Sequence, residues 1–448
     1  MKYVSVNRED LTDHFRKLPD EDLPIFSRPA GDLTLFYAPG YLAAADADHA
    51  REIRDIIAGE IPFGNPAAAD LIGAASSAVV QWERIRDPES YHPVCLTLYT
   101  SLACSLECVY CFAEKSREPA LLLDPEWIRS SARTVLANCK KTDMPFTAVF
   151  QGGGEPSLDP RLSEILEELR EMCEAENVPF FSYIATNGVM EEEKVRWIAE
   201  HFDAVGLSLD GPPEIQNTQR PLRGGGDSSQ TAERTAAVLK RIMGRLNVRV
   251  TVRPQVFSRI GEITAYLAGQ LHADEIHLEP VYCRGAGPDP ELADLFCEQY
   301  LSAAKKMRAE GVRLTFSGSR PGEIHWRYCQ IFRQVLHLVP PDGSSACFAV
   351  SSRRSAEYSG LALLVDNFLF DELSGEDPAC ADCFNRFHCA RGCPDVCPML
   401  PGDLKDAGSF RCRVSRTLSE AELLDIAERC LFEYARQYGF AAMDLRGE

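Results

Sequence analysis

The stretch Cys104-Ser105-Leu106-Glu107-Cys108-Val109-Tyr110-Cys111 follows directly on the apolar run Val94–Thr100. A short apolar, β-branched run reads as a buried strand. A loop at its C-terminal end is where a parallel barrel carries its chemistry. The spacing C-x3-C-x2-C puts three thiolates on that loop. Three thiolates hold three irons of a cubane cluster and leave the fourth iron open to a small molecule. The competing assignment is zinc, which wants a closed set of four ligands, and no fourth Cys or His lies nearby. Tyr110 and Phe112 flank the last cysteine as shields for a cofactor.

Outward from this loop the pattern repeats. Five more short runs read as buried strands: Phe146–Phe150, Phe180–Ala185, Ala204–Leu209, Val248–Arg253 and Glu275–Glu279. Helical segments separate them at Pro125–Lys140, Pro160–Glu176, Glu191–Glu200, Ala232–Arg245 and Ile260–Leu271. Six strand-then-helix repeats predict an α/β fold, a partial parallel (β/α)6 TIM-like barrel over residues 91–315. Before it, residues 1–90 show short strands (Leu23–Arg28, Asp32–Tyr37, Tyr41–Ala44) and then helices (Asp48–Gly59, Ala67–Val79). That order reads as a winged-helix-like module or as an extension packed on the barrel. After it, residues 316–448 read as an irregular cysteine-rich iron-sulfur domain closed by a helix, Ser419–Tyr438.

Bulk properties narrow the function. The chain has 448 residues, 45% hydrophobic and 25% charged, and a formal net charge of −20. A surface this acidic repels phosphate backbones, which argues against a nucleic-acid partner. No apolar run is long enough to cross a bilayer, and the N-terminus lacks a signal-peptide core, so the expectation is a cytoplasmic protein with no membrane partner. The 17 cysteines are odd in number and clustered, which favours metal sites over disulfides. Cys95, Cys139, Cys173, Cys297 and Cys430 sit in strand-like or helical runs and read as buried small hydrophobes.

Three further motifs sit after successive strands. They are Gln151-Gly152-Gly153-Gly154-Glu155-Pro156, then Ala185-Thr186-Asn187-Gly188, then Ser208-Leu209-Asp210-Gly211-Pro212. Taken with the cysteine triad, this ordered set resembles the radical S-adenosylmethionine (SAM) enzymes over most of residues 92–315. The resemblance implies a [4Fe-4S] cluster on Cys104, Cys108 and Cys111, its open iron chelated by SAM. It implies that Gly153, Gly154 and Glu155 grip the methionyl amine. Ser208 and Asp210 would lie near the ribose and carboxylate, with Asn187 at the site. Arg234 falls where relatives place a basic partner for the carboxylate, and Phe112 near the adenine. The chain has one glycine more than the usual Gly-Gly-Glu, which leaves the register of the loop open by one.

The C-terminal cysteines carry a second pattern. Cys380, Cys383, Cys389 and Cys393 read C-x2-C-x5-C-x3-C, with Cys329, Gly343 and Cys347 upstream and Cys412 downstream. This resembles the SPASM extension, whose members carry two auxiliary [4Fe-4S] clusters. The resemblance implies an outer cluster on Cys380, Cys383, Cys389 and Cys412, and an inner one on Cys329, Cys347 and Cys393. For the fourth inner ligand, Cys397, Cys283 and a substrate thiolate stay open. A single zinc site at Cys380–Cys393 is the plain alternative.

The functional expectation is a radical SAM–SPASM enzyme that modifies or cross-links a peptide side chain, as in the maturation of ribosomally made peptides. Its partners would be a precursor peptide with a leader segment, gripped by residues 1–90, and a flavodoxin- or ferredoxin-like donor. A radical dehydrogenase acting on a small molecule is the second expectation. Sulfatase maturation is a third, argued down because Phe348 stands where those relatives place a proton-accepting Asp. Arg253 and Glu279, at the ends of the fifth and sixth strands, are candidates to meet substrate, or else form an ion pair with each other.

Overall fold

The computed structural model describes residues 15–18, 23–62, 64–86, 92–111, 122–281, 291–324, 334–340, 343–345, 380–389, 410–434 and 440–444. Phe112, Cys283, Cys329, Cys347, Phe348, Cys393 and Cys397 lie outside them.

The chain opens with four strands, β1 (Arg16–Lys17), β2 (Phe26–Ala30), β3 (Leu33–Ala38) and β4 (Tyr41–Ala45), followed by helices α1 (Ala47–Ile57) and α2 (Pro66–Arg86). Each strand pairs antiparallel with the next. Strand side chains alternate between faces, so Phe36, Ala38, Tyr41, Ala43 and Ala45 pack under α1 and α2. Leu35, Tyr37, Leu42 and Ala44 join Phe15 and Phe26 on the opposite face. Strands precede helices as the sequence predicts, but the arrangement is an antiparallel sheet backed by two helices, and it gives a winged-helix reading no support.

The central unit runs β5 (Cys95–Leu98), α3 (Pro125–Thr142), β6 (Phe146–Phe150), α4 (Leu162–Ala175), β7 (Phe180–Thr186), α5 (Glu192–His201) and β8 (Ala204–Ser208). It continues through α6 (Pro213–Gln219), α7 (Ser229–Met243), β9 (Asn247–Val252), α8 (Ile260–Gly269), β10 (Glu275–Pro280), α9 (Leu292–Ala309) and β11 (Arg313–Thr315). All six expected strands form, and two more extend the parallel set. One is β11, beside β10; the other is β12 (Val335–Val339), which pairs parallel with β5. Strand β13 (Gly343–Ser345) hairpins antiparallel onto β12. The nine-stranded order is β11-β10-β9-β8-β7-β6-β5-β12-β13, a mostly parallel sheet that extends past residue 315 and shows no closing strand pair among the described residues. Helix starts follow local chemistry. In α3, Asp124 accepts a hydrogen bond from the Trp127 N–H, and Pro125 supplies a preset first helical φ.

Helix α10 (Phe410–Tyr434) then ties the two units together. Its first turns put Phe410, Val414 and Leu418 into the core of the central unit. Its later turns put Leu423, Leu424 and Ala427 against the N-terminal sheet. Between them Glu420 forms a buried ion pair with Arg28 of β2, 2.6 Å apart. Strand β14 (Phe440–Asp444) pairs antiparallel with β4 and completes a five-stranded sheet, so both ends of the chain build one layer.

Candidate functional site

The cysteine loop leaves β5 at the C-terminal end of the parallel sheet and is held on both flanks. On one side Gly154 N–H donates to Ser101 O at 3.1 Å, and Glu155 N–H to Ala103 O at 2.7 Å. On the other side the loop runs antiparallel to residues 219–223. Val109 N–H donates to Gln219 O, Glu107 N–H to Pro221 O, and Arg223 N–H to Ser105 O, at 2.8–2.9 Å. Cys104 and Cys108 are half-buried and Cys111 is exposed.

The glycine loop fits this close approach. A Cβ on Gly154 would stand 2.0 Å from the Ala103 carbonyl oxygen, and one on Gly152 would stand 1.6 Å from the Gly154 oxygen. Glu155 is buried, and both its oxygens are engaged: Oε1 by Thr186 Oγ1 (2.7 Å) and Ser157 N–H (3.2 Å), Oε2 by Asn187 N–H (2.7 Å). Burial raises its pKa, and these donors oppose the rise. Its carboxylate therefore fastens the loop after β6 to the loop after β7. Asn187 passes the link on, with Nδ2 reaching Ser105 Oγ at 3.2 Å and Cys104 Sγ at 3.7 Å.

Asp210 is a second fastener. It is fully buried, and burial raises its pKa against the pull of Arg220. Its Oδ2 accepts from Tyr110 Oη (2.6 Å) and Gln219 Nε2 (2.9 Å), and its Oδ1 from Thr251 N–H (3.0 Å). Arg220 completes the knot, 2.7 Å from the Tyr110 oxygen and 3.8 Å from Asp210. Tyr110, between two of the three cysteines, is thereby latched to the end of β8. Ser208 ends β8 half-buried, in register with Arg249 of β9.

Two expectations are corrected. Arg234 sits on the exposed flank of α7, hydrogen-bonded to Thr231, because its neighbours Ala232, Thr235 and Ala236 take the buried face. The arginine brought into the site is Arg220. Arg253 and Glu279 do not pair with each other. Glu279 contacts His277 at 3.1 Å and Ser317 N–H at 2.6 Å. Burial pushes its pKa up, but His277, Arg411 and Ser317 outweigh that and hold it below the usual carboxylate value. Arg253 is half-buried at the end of β9. Sequence reasoning missed Thr186, Gln219 and Arg220. Their signal was a polar side chain at each strand's C-terminal end and a glutamine-rich α6 too short to need one.

At the other cysteine group, Cys383 N–H donates to Cys380 O, and Cys389 N–H to Asn385 O, folding the loop into successive turns. Burial pushes the Cys383 thiol up to about 11 and Cys412 up to about 12, and the neighbouring thiols add to both shifts. Cys380, Cys383, Cys389 and Cys412 thus lie within electrostatic reach of one another, with Arg416 beside them. The N-terminal sheet covers this loop. Phe15 and Tyr37 pack on Phe384, Trp82 packs on Phe387, and Tyr37 Oη shares a hydrogen bond with His388 Nε2.

An open parallel α/β sheet with three thiols at its C-terminal mouth, beside a glycine cradle and a buried glutamate, is similar to a radical SAM domain. Residues 98–264 match the Radical SAM superfamily model. The Cysteine-type anaerobic sulfatase-maturating enzyme of Clostridium perfringens (strain 13 / Type A) is 27% identical over 172 residues, 37% of this chain and 46% of that protein. The Serine-type enzyme of Klebsiella aerogenes is 24% identical over 185 residues, 41% of this chain and 45% of that protein. The chain spans about half the length of the curated relatives it matches. The solved structure of native anSMEcpe with bound AdoMet superposes with a TM-score of 0.59 at 18% identity, covering 75% of this chain and 99% of that one, which establishes a shared fold. The cofactors of such a domain are a [4Fe-4S] cluster and SAM. The residues fit them: the donors are soft thiols, and the neighbouring loop is glycine where any Cβ would strike backbone.

Proposed function

We propose that this protein is a radical SAM enzyme that modifies a side chain of a peptide or protein, with a low-potential flavodoxin- or ferredoxin-like protein as its electron donor. The observation that carries the reading is the clamped triad: Cys104, Cys108 and Cys111 on a loop fixed from both flanks at the mouth of the parallel sheet. The three thiols would hold the cluster, and the backbone around Gly153 and Gly154 would meet the amine of SAM. Bound and reduced by one electron, the pair supplies a 5′-deoxyadenosyl radical that takes a hydrogen atom from substrate.

The chain's own residues orient and enclose. Glu155 and Asp210 hold the three loops that carry the site, so the reacting groups are preplaced and not gathered at each turnover. Arg253, half-buried at the end of β9, would be the residue left to meet substrate, while Glu279 is engaged by His277 and Ser317. Polypeptide as the substrate class rests on the relatives named as sulfatase-maturating enzymes. The mutual electrostatic influence among Cys380, Cys383, Cys389 and Cys412 supports reading them as ligands of a second iron-sulfur site.

Anaerobically reconstituted protein given SAM and dithionite should release 5′-deoxyadenosine and methionine, and Cys108→Ala should abolish both. A chain that holds iron and sulfide but releases no 5′-deoxyadenosine would be an electron carrier, and this reading would be wrong. Comparing turnover with a leader-bearing peptide, a sulfatase peptide and a small alcohol or amine then separates the substrate classes.

A further inference from the structure

Three features around the auxiliary thiols remain unexplained by the fold. The first is Asn385, between Cys383 and Cys389. It is 0% exposed, and neither atom of its side-chain amide has a hydrogen-bond partner among the described residues. A buried amide left unpaired costs about 1–3 kcal/mol, so such a group points to something that pairs with it. The second is Arg416, one helical turn beyond Cys412 on α10, with a buried Nε that likewise has no partner among the described residues. Residues four apart share a helix face, which sets the guanidinium beside the Cys412 thiol. It also acts on Cys383 across the loop. The third is Ser419, seven residues after Cys412 on the same face, whose buried Oγ is also unpartnered. Three carboxylates of α10 are engaged elsewhere: Glu420 with Arg28, Glu422 with Ser319, and Asp425 with Arg308 and Arg429.

A cation with a buried, unpaired Nε and a buried, unpaired amide beside four half-buried thiols describe the surroundings of an anion. A thiolate-ligated iron-sulfur cluster is such an anion, and its potential depends on net charge, hydrogen bonds to sulfur and solvent exposure. We propose that Arg416 is the counter-charge of an iron-sulfur cluster held by Cys380, Cys383, Cys389 and Cys412, and that with the Asn385 amide it sets the reduction potential of that cluster. This rests on the reading of those four cysteines as cluster ligands. A positive charge stabilises the reduced cluster, which carries one more electron. Arg416 therefore makes the site easier to reduce and would poise it to take an electron from the active site.

The test is a redox titration, followed by electron paramagnetic resonance, of the full chain carrying Cys104, Cys108 and Cys111→Ala. Only auxiliary clusters then report, and the relevant step is the one lost on adding Cys383→Ala. Arg416→Gln should shift that step to lower potential with iron and sulfide content unchanged. Arg416→Lys should restore it towards the parent value, a response that a merely structural role would not produce. Asn385→Leu, whose side chain is apolar and close in size, should also lower the step, and it decides the question if Arg416→Gln does not fold. Unchanged potentials in cluster-loaded variants would overturn the proposal. A parent chain that loads no iron and sulfide at these cysteines, or holds zinc there, would instead overturn the ligand reading on which the proposal rests.

Discussion

The residues with most leverage on the site are those whose substitution meets backbone. Gly154→Ala would set a methyl 2.0 Å from the Ala103 carbonyl, on the segment that leads into Cys104. The clash has no flexible side chain to absorb it, so the cysteine loop must shift. Displacing a reacting group by about 1 Å costs on the order of 100-fold in rate. We expect SAM cleavage by Gly154→Ala to fall by about that factor, measured as 5′-deoxyadenosine released per reconstituted cluster. Glu155→Gln tests the fastener. Its amide nitrogen would face either the Asn187 N–H or the Thr186 and Ser157 donors, leaving a buried polar group unpaired at about 1–3 kcal/mol. Denaturant unfolding should show that loss together with lower occupancy of the first cluster. His337, on the inner side of β12 near Tyr99, gives a pH signature. Burial pushes it down to about 4 from an ordinary 6.5. As pH falls the unfolded chain binds that proton first, so the associated stability is whole above pH 6.5 and drains towards pH 4. The loss reaches about 2 kcal/mol by pH 5. His337→Gln should flatten that part of the decline relative to the parent. Equal losses in both chains between pH 7 and pH 5 would show that the ring carries none of it.

At the scale of elements, α10 shows what a one-dimensional pattern can and cannot reveal. Its helical character is legible, and the sequence places it at Ser419–Tyr438. The helix begins nine residues earlier, at Phe410, since its first turns lie in the cysteine-rich stretch where periodicity is masked by ligand spacing. The six strands of the repeat are legible because each is a compact apolar run bounded by a helix. Strands β11 and β12 are not, since Arg313-Leu314-Thr315 is too short to stand out and Val335–Val339 lies among cysteines beyond the repeat. The same limit applies to the site. The cysteine, glycine and Asp-Gly motifs are spaced along the chain and can be read. The knot of Tyr110, Asp210, Gln219 and Arg220 depends on residues about a hundred positions apart meeting in space. The partner of Glu279 could not be read either, because His277 shares its strand face while Arg253 only shares its end of the barrel. For α10 itself, the Arg28–Glu420 pair makes a direct prediction. Both side chains are almost wholly buried. Removing one partner strands the other's charge in the interior, and Glu420→Gln or Arg28→Ala should cost about 3–5 kcal/mol by denaturant unfolding. Replacing both with apolar residues of similar volume should recover much of it.

At the scale of the whole molecule, the first ninety residues pack on α10 and the Cys380–Cys389 loop as much as they form a unit of their own. One face of their sheet is covered by α1 and α2, the other by α10 and the Cys380–Cys389 loop. The last strand of the chain, β14, closes the layer against β4. Among the described residues, a peptide that adds a strand to this sheet is therefore left the two edges, short β1 and the outer side of β14, and neither face. That architecture changes what truncation means. A separable leader-binding module would come away cleanly, with weaker precursor binding and unaltered chemistry. In this fold, deleting residues 1–90 removes Phe15, Tyr37 and Trp82 from Phe384 and Phe387, and Arg28 from Glu420. It bares Leu423, Leu424 and Ala427 of α10 to water. Burial of such side chains contributes about 1.5–3 kcal/mol each for the larger ones, enough together to unseat the second half of the helix. The truncated chain should therefore lose auxiliary iron and sulfide, and aggregate more readily, while the triad at Cys104, Cys108 and Cys111 still binds its cluster. Metal analysis of truncated and full chains, each with and without Cys108→Ala, reads the two sites apart. Full auxiliary occupancy after truncation would show that the sheet is a detachable module after all, and would return the N-terminal unit to a role in capturing the substrate peptide alone.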